Sequence, residues 1–245
     1  MLLNHTTEYN TLFDTLQLQL EIPLNYNFAE TISELRLINT HFPIECLPTK
    51  HLEMGAKIVY VNRNPKDRAV SLYHYLSGKR GFPDTSWEEF FNEFILNEKL
   101  NGGWFNYTKG FTEEMQIKST NICPVVYEEL VLDPISNVTR LEELLGVPNN
   151  VDFITKVVDS CSFEKLKEKK KDATRMIHPE GKSTVFRKGK IGDWKNLFTV
   201  AQSEKFDERY NSEMKDCNIR MCTFVEDISL SPVYVYFNIF ILQRL

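Results

Sequence analysis

The chain has 245 residues, 42% of them hydrophobic and 26% charged, with a formal charge of −5. That length suits one large α/β domain with a substantial core, and the composition is ordinary for a soluble globular protein. The acidic balance argues against a general nucleic-acid binder, which carries a broad basic surface.

The five cysteines, Cys46, Cys123, Cys161, Cys217 and Cys222, are odd in number and lack C-x-x-C or His-rich spacing. Buried reduced thiols and no metal site are therefore expected. The opening MLLNHTTEYN has no basic region followed by an apolar one, so no secretory signal is read. A reduced, cytoplasmic setting follows, and the N-x-S/T matches at Asn4, Asn106 and Asn137 carry little weight.

In chain order, TLFDTLQLQLEIPL alternates Leu16, Leu18 and Leu20, which fits an edge strand or a short helix ended by Pro23. The run SELRLINTHFP then alternates Leu35, Leu37 and Asn39, and Pro43 holds Phe42 extended, so His41 sits where a strand opens into a loop. Ligands of an open parallel sheet collect outside such carboxyl ends. His41 is a candidate general base, since imidazole titrates near neutrality; the plain alternative is a half-exposed loop histidine.

The most informative stretch is KIVYVNRNPKDRAVSLYHYLSGK, residues 57–79. Ile58 to Val61 form an uninterrupted β-branched and aromatic run, the pattern of a strand buried on both faces. Asn64 is a natural N-cap and Pro65 a first helical residue, with Ala69, Val70, Tyr73 and Leu76 at helical spacing. A strand feeding a helix N-terminus points unpaired N–H groups at one spot, which suits an anion. Arg63 supplies a planar fork there and Ser71 a hydroxyl, although on this stretch alone Arg63 could equally pair with Asp67.

The segment 81–111 is crowded with Phe and Trp: Thr85 or Ser86 can cap a helix with Trp87, Phe90, Phe91, Phe94 and Ile95 on one face. That stripe reads as core, while the turn at Gly102-Gly103-Trp104 could wall an apolar cleft for a small ligand. Next come a strand at Val125, Val126 and Tyr127, a helix from Asn137 to Leu145 stopped by Gly146, and an amphipathic helix over residues 151–166. Alternating strands and helices imply a parallel sheet.

From Lys165 to Lys190 there are ten Lys or Arg against three Asp or Glu, which fits either a solvated face or a lid closing over a polyanion. Arg187, Lys188 and the Gly189 amide then stand side by side, as a phosphate clamp or as a basic turn. Thr199 can begin a helix. After residue 226 the tail SPVYVYFNIFILQRL has an apolar part far short of the ~20 residues a spanning helix needs, and it reads as a sticky strand.

The strings NTHFP (39–43), IVYVNRNPKDRAVSLYHY (58–75), VVYEELVLDP (125–134) and FRKGKIGDWKNLFTVAQSEKFDERY (186–210) resemble the cytosolic sulfotransferases over roughly residues 20 to 222. The R-K-G-x-x-G-D-W-K string is the most specific of them. The resemblance implies a three-layer α/β sandwich with a central parallel sheet and 3′-phosphoadenosine 5′-phosphosulfate (PAPS) as donor, with no metal. It implies a small, fairly apolar alcohol, phenol or amine as acceptor. Arg63, Ser71, Arg187, Lys188 and Gly189 would hold the donor's 3′-phosphate, Tyr127 and Phe163 would contact adenine, and His41 would deprotonate the acceptor. Lys195, Thr199, Val200 and Glu204 resemble the family's dimerisation segment, implying a homodimer.

The departures from the pattern are specific. The T-Y-P-K-S-G-T-T-W loop, which cradles the 5′-phosphosulfate and supplies a Lys, is absent; Asn39 stands for a usual Lys, Cys161 for a Thr and Tyr107 for a His. The expected organisation is one domain over residues 1–226, N-terminally incomplete and short of a central strand, followed by an atypical tail over 227–245. The alternative to an active enzyme is a catalytically impaired or non-catalytic paralogue that binds 3′-phosphoadenosine nucleotides or a partner subunit.

Overall fold

A computed structural model describes residues 36–47, 49, 53–77, 79, 81–99, 103–117, 121–146, 150–169, 186–217 and 239–243. The alternating run around Leu16, most of the basic segment and residues 227–238 of the tail lie outside the described residues.

Strand β1 (Arg36–Thr40) is followed by β2 (Lys57–Asn62) and helix α1 (Pro65–Leu76). A single α turn, α2 (Trp87–Phe90), continues into a π-helical stretch, Phe91–Leu96, and α3 (Trp104–Ile117) follows. Strand β3 (Ile122–Val126) runs into α4 (Tyr127–Leu132), α5 (Pro134–Leu145), α6 (Val151–Ser160) and α7 (Phe163–Lys169). A 3-10 turn at Asp193–Asn196 precedes α8 (Val200–Glu213), and the last element is β4 (Ile239–Gln243).

The capping chemistry explains the boundaries. The Asn64 side chain accepts the Lys66 and Asp67 amides ahead of Pro65. Ser86 and Thr199 each form a reciprocal capping box, and Gly146, at φ 68°, ends α5 in the left-handed region that favours glycine. Four readings need correction. Tyr127 opens a helix rather than closing a strand, and α5 begins at Pro134, capped by Asp133, rather than at Asn137. The amphipathic run over 151–166 is two helices broken at Cys161, and Cys46 is exposed rather than buried.

The sheet order is β1-β4-β2-β3. β2 and β3 are parallel, with Val61 beside Val125, whereas β4 is antiparallel to both β1 and β2. Strands β1, β2 and β3 therefore share one direction, and the sheet is parallel apart from a tail strand lodged between β1 and β2. Residues 239–243 occupy the place between β1 and β2, with backbone groups paired on both sides instead of forming a free sticky edge.

Layering follows from the period of two along β2. Ile58 and Tyr60 face Ile38 and Phe111, with the Tyr60 and Phe111 rings stacked at 4.6 Å and the Tyr60 hydroxyl 3.4 Å from Thr108 Oγ1. Val59 and Val61 face the other way, against Val125, Leu130, Val138 and Ile154. Helices thus cover both faces, which is the three-layer α/β arrangement. A separate aromatic cluster joins α1, α2, α3 and α8: Trp104, Phe105, Phe90 and Phe206 are all buried in it, and Trp87 Nε1 donates to Gln202 Oε1 at 3.0 Å. The aromatics near Gly103 are core here, not the wall of an open cleft.

Candidate functional site

Three strand ends and one loop meet along one rim of the sheet. Thr40 pairs with Ile239 and Val59 with Phe240, so Thr40 is level with the residue after Val59. His41 and Arg63 therefore leave the same rim on two strands that flank β4, roughly 10 Å apart at the usual strand spacing. Tyr127 leaves the rim from β3. Because β4 is antiparallel, its amino end, Ile239, is the end that lies here.

Arg63 organises the β2 side. Its guanidinium lies 4.4 Å from the centre of the Tyr127 ring, and Nη2 donates to the Lys190 carbonyl at 3.4 Å. The Tyr127 hydroxyl has its pKa raised by burial, which the nearby Arg63 charge only partly offsets. The next amide, Asn64 N–H, donates to Glu128 Oε1 at 3.0 Å. Glu128 is 1% exposed and its carboxyl pKa is raised, chiefly by burial.

The loop at 186–193 arrives from far along the chain and is fastened to α1. Both oxygens of Asp67 are used: Oδ2 accepts Gly192 N–H at 2.6 Å and Oδ1 accepts Trp194 N–H at 3.0 Å. The local alternative, in which Asp67 serves mainly as the surface partner of Arg63, is displaced by these two amides. Lys66 adds a second fastening, donating at 2.7 Å to both Ser203 Oγ and Asp207 Oδ2 and lying 4.4 Å from the Trp194 ring centre. Within the loop, Arg187 Nη2 and Lys188 Nζ each donate to Asp193, the latter at 2.7 Å. Gly189 at φ 64° and Gly192 at φ 80° supply the left-handed backbone that turns the chain so sharply.

Burial pushes the Asp193 carboxyl pKa up, but hydrogen bonds from Lys188, Arg187 and Asn196 outweigh it and hold the group well below the carboxylate range. His74 has its pKa lowered, first by burial and then by the Arg187 charge, with Asp193 acting against the shift and Lys188 adding to it, so it lies within the field of this loop. Asp67, Ser71 and His74 fall at i, i+4 and i+7, one stripe of α1 directed at this loop.

The structure thus brings Arg63, Tyr127 and the Arg187–Gly189 loop together, with Ser71 on the facing stripe of α1. Phe163 lies behind them, 4% exposed, its ring 5.9 Å from Phe186, the residue preceding Arg187. His41 follows the last residue of β1 at the same rim, on the far side of β4 from Arg63. Sequence reading missed His74, Glu128 and Asp193 and named Asp67 only as a partner for Arg63; the stripe on α1 is visible in the spacing, while the pairing of Asp193 with its own loop is not. A separate groove of about 260 Å³, lined by Asn92, Leu96, Asn97, Lys205 and Arg209, belongs to the aromatic side of the molecule. Among the described residues no three His, Cys, Asp or Glu side chains cluster to hold a metal, and no helix is long and apolar enough to cross a membrane.

Guanidinium, ammonium and backbone amides converging beside a sheet rim and a helix N-terminus can hold a phosphate group. Comparison with known proteins bears on what carries that phosphate. The sequence model of the family described as "Sulfotransferase domain" matches residues 4–218. Sulfotransferase 1C2 of Homo sapiens is 34% identical over 205 residues, covering 82% of this chain and 69% of that protein. Cytosolic sulfotransferase 1 of Danio rerio is 36% identical over 191 residues, covering 77% of this chain and 64% of that protein. The chain therefore spans about two thirds of the length of these relatives. The crystal structure of mouse sulfotransferase SULT7A1 complexed with PAP is similar at a TM-score of 0.70 and 31% identity, over 79% of this chain and 71% of that one. Retinol dehydratase in a complex with retinol and PAP shares the fold at a TM-score of 0.68 and 23% identity, over 75% of this chain and 54% of that one.

Proposed function

The chain belongs to the cytosolic sulfotransferase family and its chemistry is PAPS-dependent sulfo transfer; we propose that the rim just described binds the donor's 3′-phosphate and that His41 serves the acceptor. The single observation that carries this reading is the meeting of Arg63 with the 187–190 loop across 127 positions of sequence, at 3.4 Å from Nη2 to the Lys190 carbonyl.

The residues fit a 3′-phosphoadenosine group. Arg63, Arg187 and Lys188 offer fixed positive charge, Gly189 a backbone amide and Ser71 a hydroxyl. Tyr127, against the Arg63 guanidinium, and Phe163, against Phe186, are the two buried aromatic rings next to the loop, and in this reading they contact the planar base. The donor supplies the sulfo group. An acceptor oxygen or nitrogen bonds to its sulfur as the bond from sulfur to the 5′-phosphate oxygen breaks, and the acceptor proton passes to the His41 imidazole. The cations named here grip the 3′-phosphate and not the departing one, so what these residues supply is positioning of the donor against the acceptor and a base for the acceptor proton.

The acceptor in this reading is a small, largely apolar alcohol, phenol or amine, and the setting is cytoplasmic, as in the name of the zebrafish relative. A homodimer forms through Lys195, Thr199, Val200 and Glu204: all four are exposed, and Val200 presents 76% of its surface at the start of α8. Titration with adenosine 3′,5′-bisphosphate tests the site directly. Binding is expected, and is expected to fall by tenfold or more on Arg63→Ala. His41→Ala should leave that binding intact while sulfo transfer to a phenol drops by about 10²–10⁴, the usual contribution of a general base. Binding that survives Arg63→Ala unchanged would remove the site assignment. Transfer that survives His41→Ala would remove the role of His41, and tight binding with no transfer to any phenol or amine would favour a binding-only protein.

A further inference from the structure

The two cations of the clamp hold a carboxylate of their own loop. Asp193 is 7% exposed, and it takes Arg187 on one oxygen and Lys188 on the other. Asn196 Nδ2 donates to the Lys188-bearing oxygen at 3.0 Å, and the amides on either side of Asp193, those of Gly192 and Trp194, are tied to Asp67 on α1. The cations themselves remain more open, with side chains 27% and 45% exposed. The buried acid thus lies beneath two outward charges.

From this arrangement we propose that Asp193 is the positioning residue of the clamp, holding Arg187 and Lys188 with their remaining donors toward the 3′-phosphate, so that an anion inside the site strengthens binding of an anion to it. The proposal rests on the phosphate reading above and deepens it. Two effects of opposite sign compete. Coulomb repulsion between carboxylate and phosphate weakens binding, and on charge alone removing Asp193 should tighten it. Ordering acts the other way: long Arg and Lys side chains lose most of their rotamer freedom when they capture an ion, and a residue that imposes this loss during folding removes it from the binding step. Ordering wins here for a geometric reason. The carboxylate spends one oxygen on each cation, is itself fixed by Asn196, and is anchored through its neighbours to the same helix that carries Ser71.

The test is calorimetric titration with adenosine 3′,5′-bisphosphate and with adenosine 5′-monophosphate, comparing wild type, Asp193→Asn, Asn196→Ala and Arg187→Ala with and without Asp193→Asn. Asp193→Asn should weaken bisphosphate binding by about tenfold or more, the scale of a lost charge-assisted hydrogen bond, and leave monophosphate binding unchanged. Asn196→Ala keeps every charge and loosens only the carboxylate, so it should weaken bisphosphate binding in the same direction by a smaller factor. In the Arg187→Ala background the Asp193→Asn effect should shrink, because half of what Asp193 orders is gone. Tighter or equal bisphosphate binding in Asp193→Asn, or an equal loss for both nucleotides, overturns the proposal while leaving the phosphate reading in place. A wild type that does not prefer the bisphosphate overturns the phosphate reading itself.

Discussion

Asp67→Ala is the perturbation whose cost can be worked most fully from the structure. The carboxylate is 2% exposed and accepts the amides of Gly192 at 2.6 Å and Trp194 at 3.0 Å. Each stranded buried donor costs about 1–3 kcal/mol. As the third residue of α1, Asp67 also faces the positive helix end, an interaction of about 0.5 kcal/mol. Some water will reach the freed amides, so the lower part of the summed range is expected, about 3 kcal/mol. With a urea slope of about 3 kcal/mol/M, the unfolding midpoint should fall by about 1 M. Asp67→Asn keeps one carbonyl acceptor and should lose about half as much. Unfolding followed by tryptophan fluorescence is a suitable assay, since one donor is the amide of Trp194 itself. If both variants unfold within about 0.5 kcal/mol of wild type, the ordinary range for an uninvolved surface site, the loop is not held to α1 in this way.

Three further outcomes follow from buried charge and from the sheet. Glu128 has a raised carboxyl pKa, so the protonated form is favoured by folding: its stabilising effect is complete below the ordinary value of 4.5 and is lost as pH rises through the higher folded value. Glu128→Gln should therefore gain stability relative to wild type as pH is raised from 4 to 7 in urea titrations, and a pH-independent difference would contradict this. His74, lowered by burial and by Arg187 and Lys188 against an opposing Asp193, should take up part of a proton when the bisphosphate adds negative charge beside it near pH 6. Titrations in two buffers of different ionisation enthalpy read this uptake, and His74→Gln should remove it; an unchanged proton balance would place His74 outside the field. Ile241→Pro removes an amide from the middle of β4, opposite Ile38 and Ile58, and should lower the unfolding free energy by about 2 kcal/mol or more. No shift in the urea midpoint would mean that β4 is dispensable to the sheet.

The strand-to-helix unit at 57–76 was legible because every local preference agrees: a β-branched run for the strand, Asn64 as cap, Pro65 behind it, and a helical stripe with an acid at its start. Gly146 and Thr199 were legible for the same reason. The aromatic segment was less so, because periodicity cannot separate a core stripe from a cleft wall; only the docking of α8 against Trp104 and Phe105 decides it. The break at Cys161 is visible in the phase of the pattern: Ile154, Val157 and Cys161 share one helical face, whereas Phe163 and Leu166 would fall on the opposite face of a continuous helix, so the apolar stripe changes sides there. The place of β4 could not be read at all. Its composition says strand, but pairing partners and direction are set by the gap between β1 and β2, nearly two hundred residues away in the chain. At the site, residues with chemistry of their own stood out, whereas Asp67 acts through bonds to backbone amides far along the chain and Asp193 through bonds folded back within its own loop, which no local preference announces.

The central claim is that Arg63 and Arg187 grip the same dianion from opposite ends of the sequence. A double-mutant cycle reads this most directly: titrate adenosine 3′,5′-bisphosphate into wild type, Arg63→Ala, Arg187→Ala and the double variant. Residues sharing one partner are coupled by about 0.5–3 kcal/mol, so the double variant should lose clearly less than the two single losses combined. Losses that simply add, or an Arg187→Ala variant that binds like wild type, would show that the two arginines do not serve one phosphate.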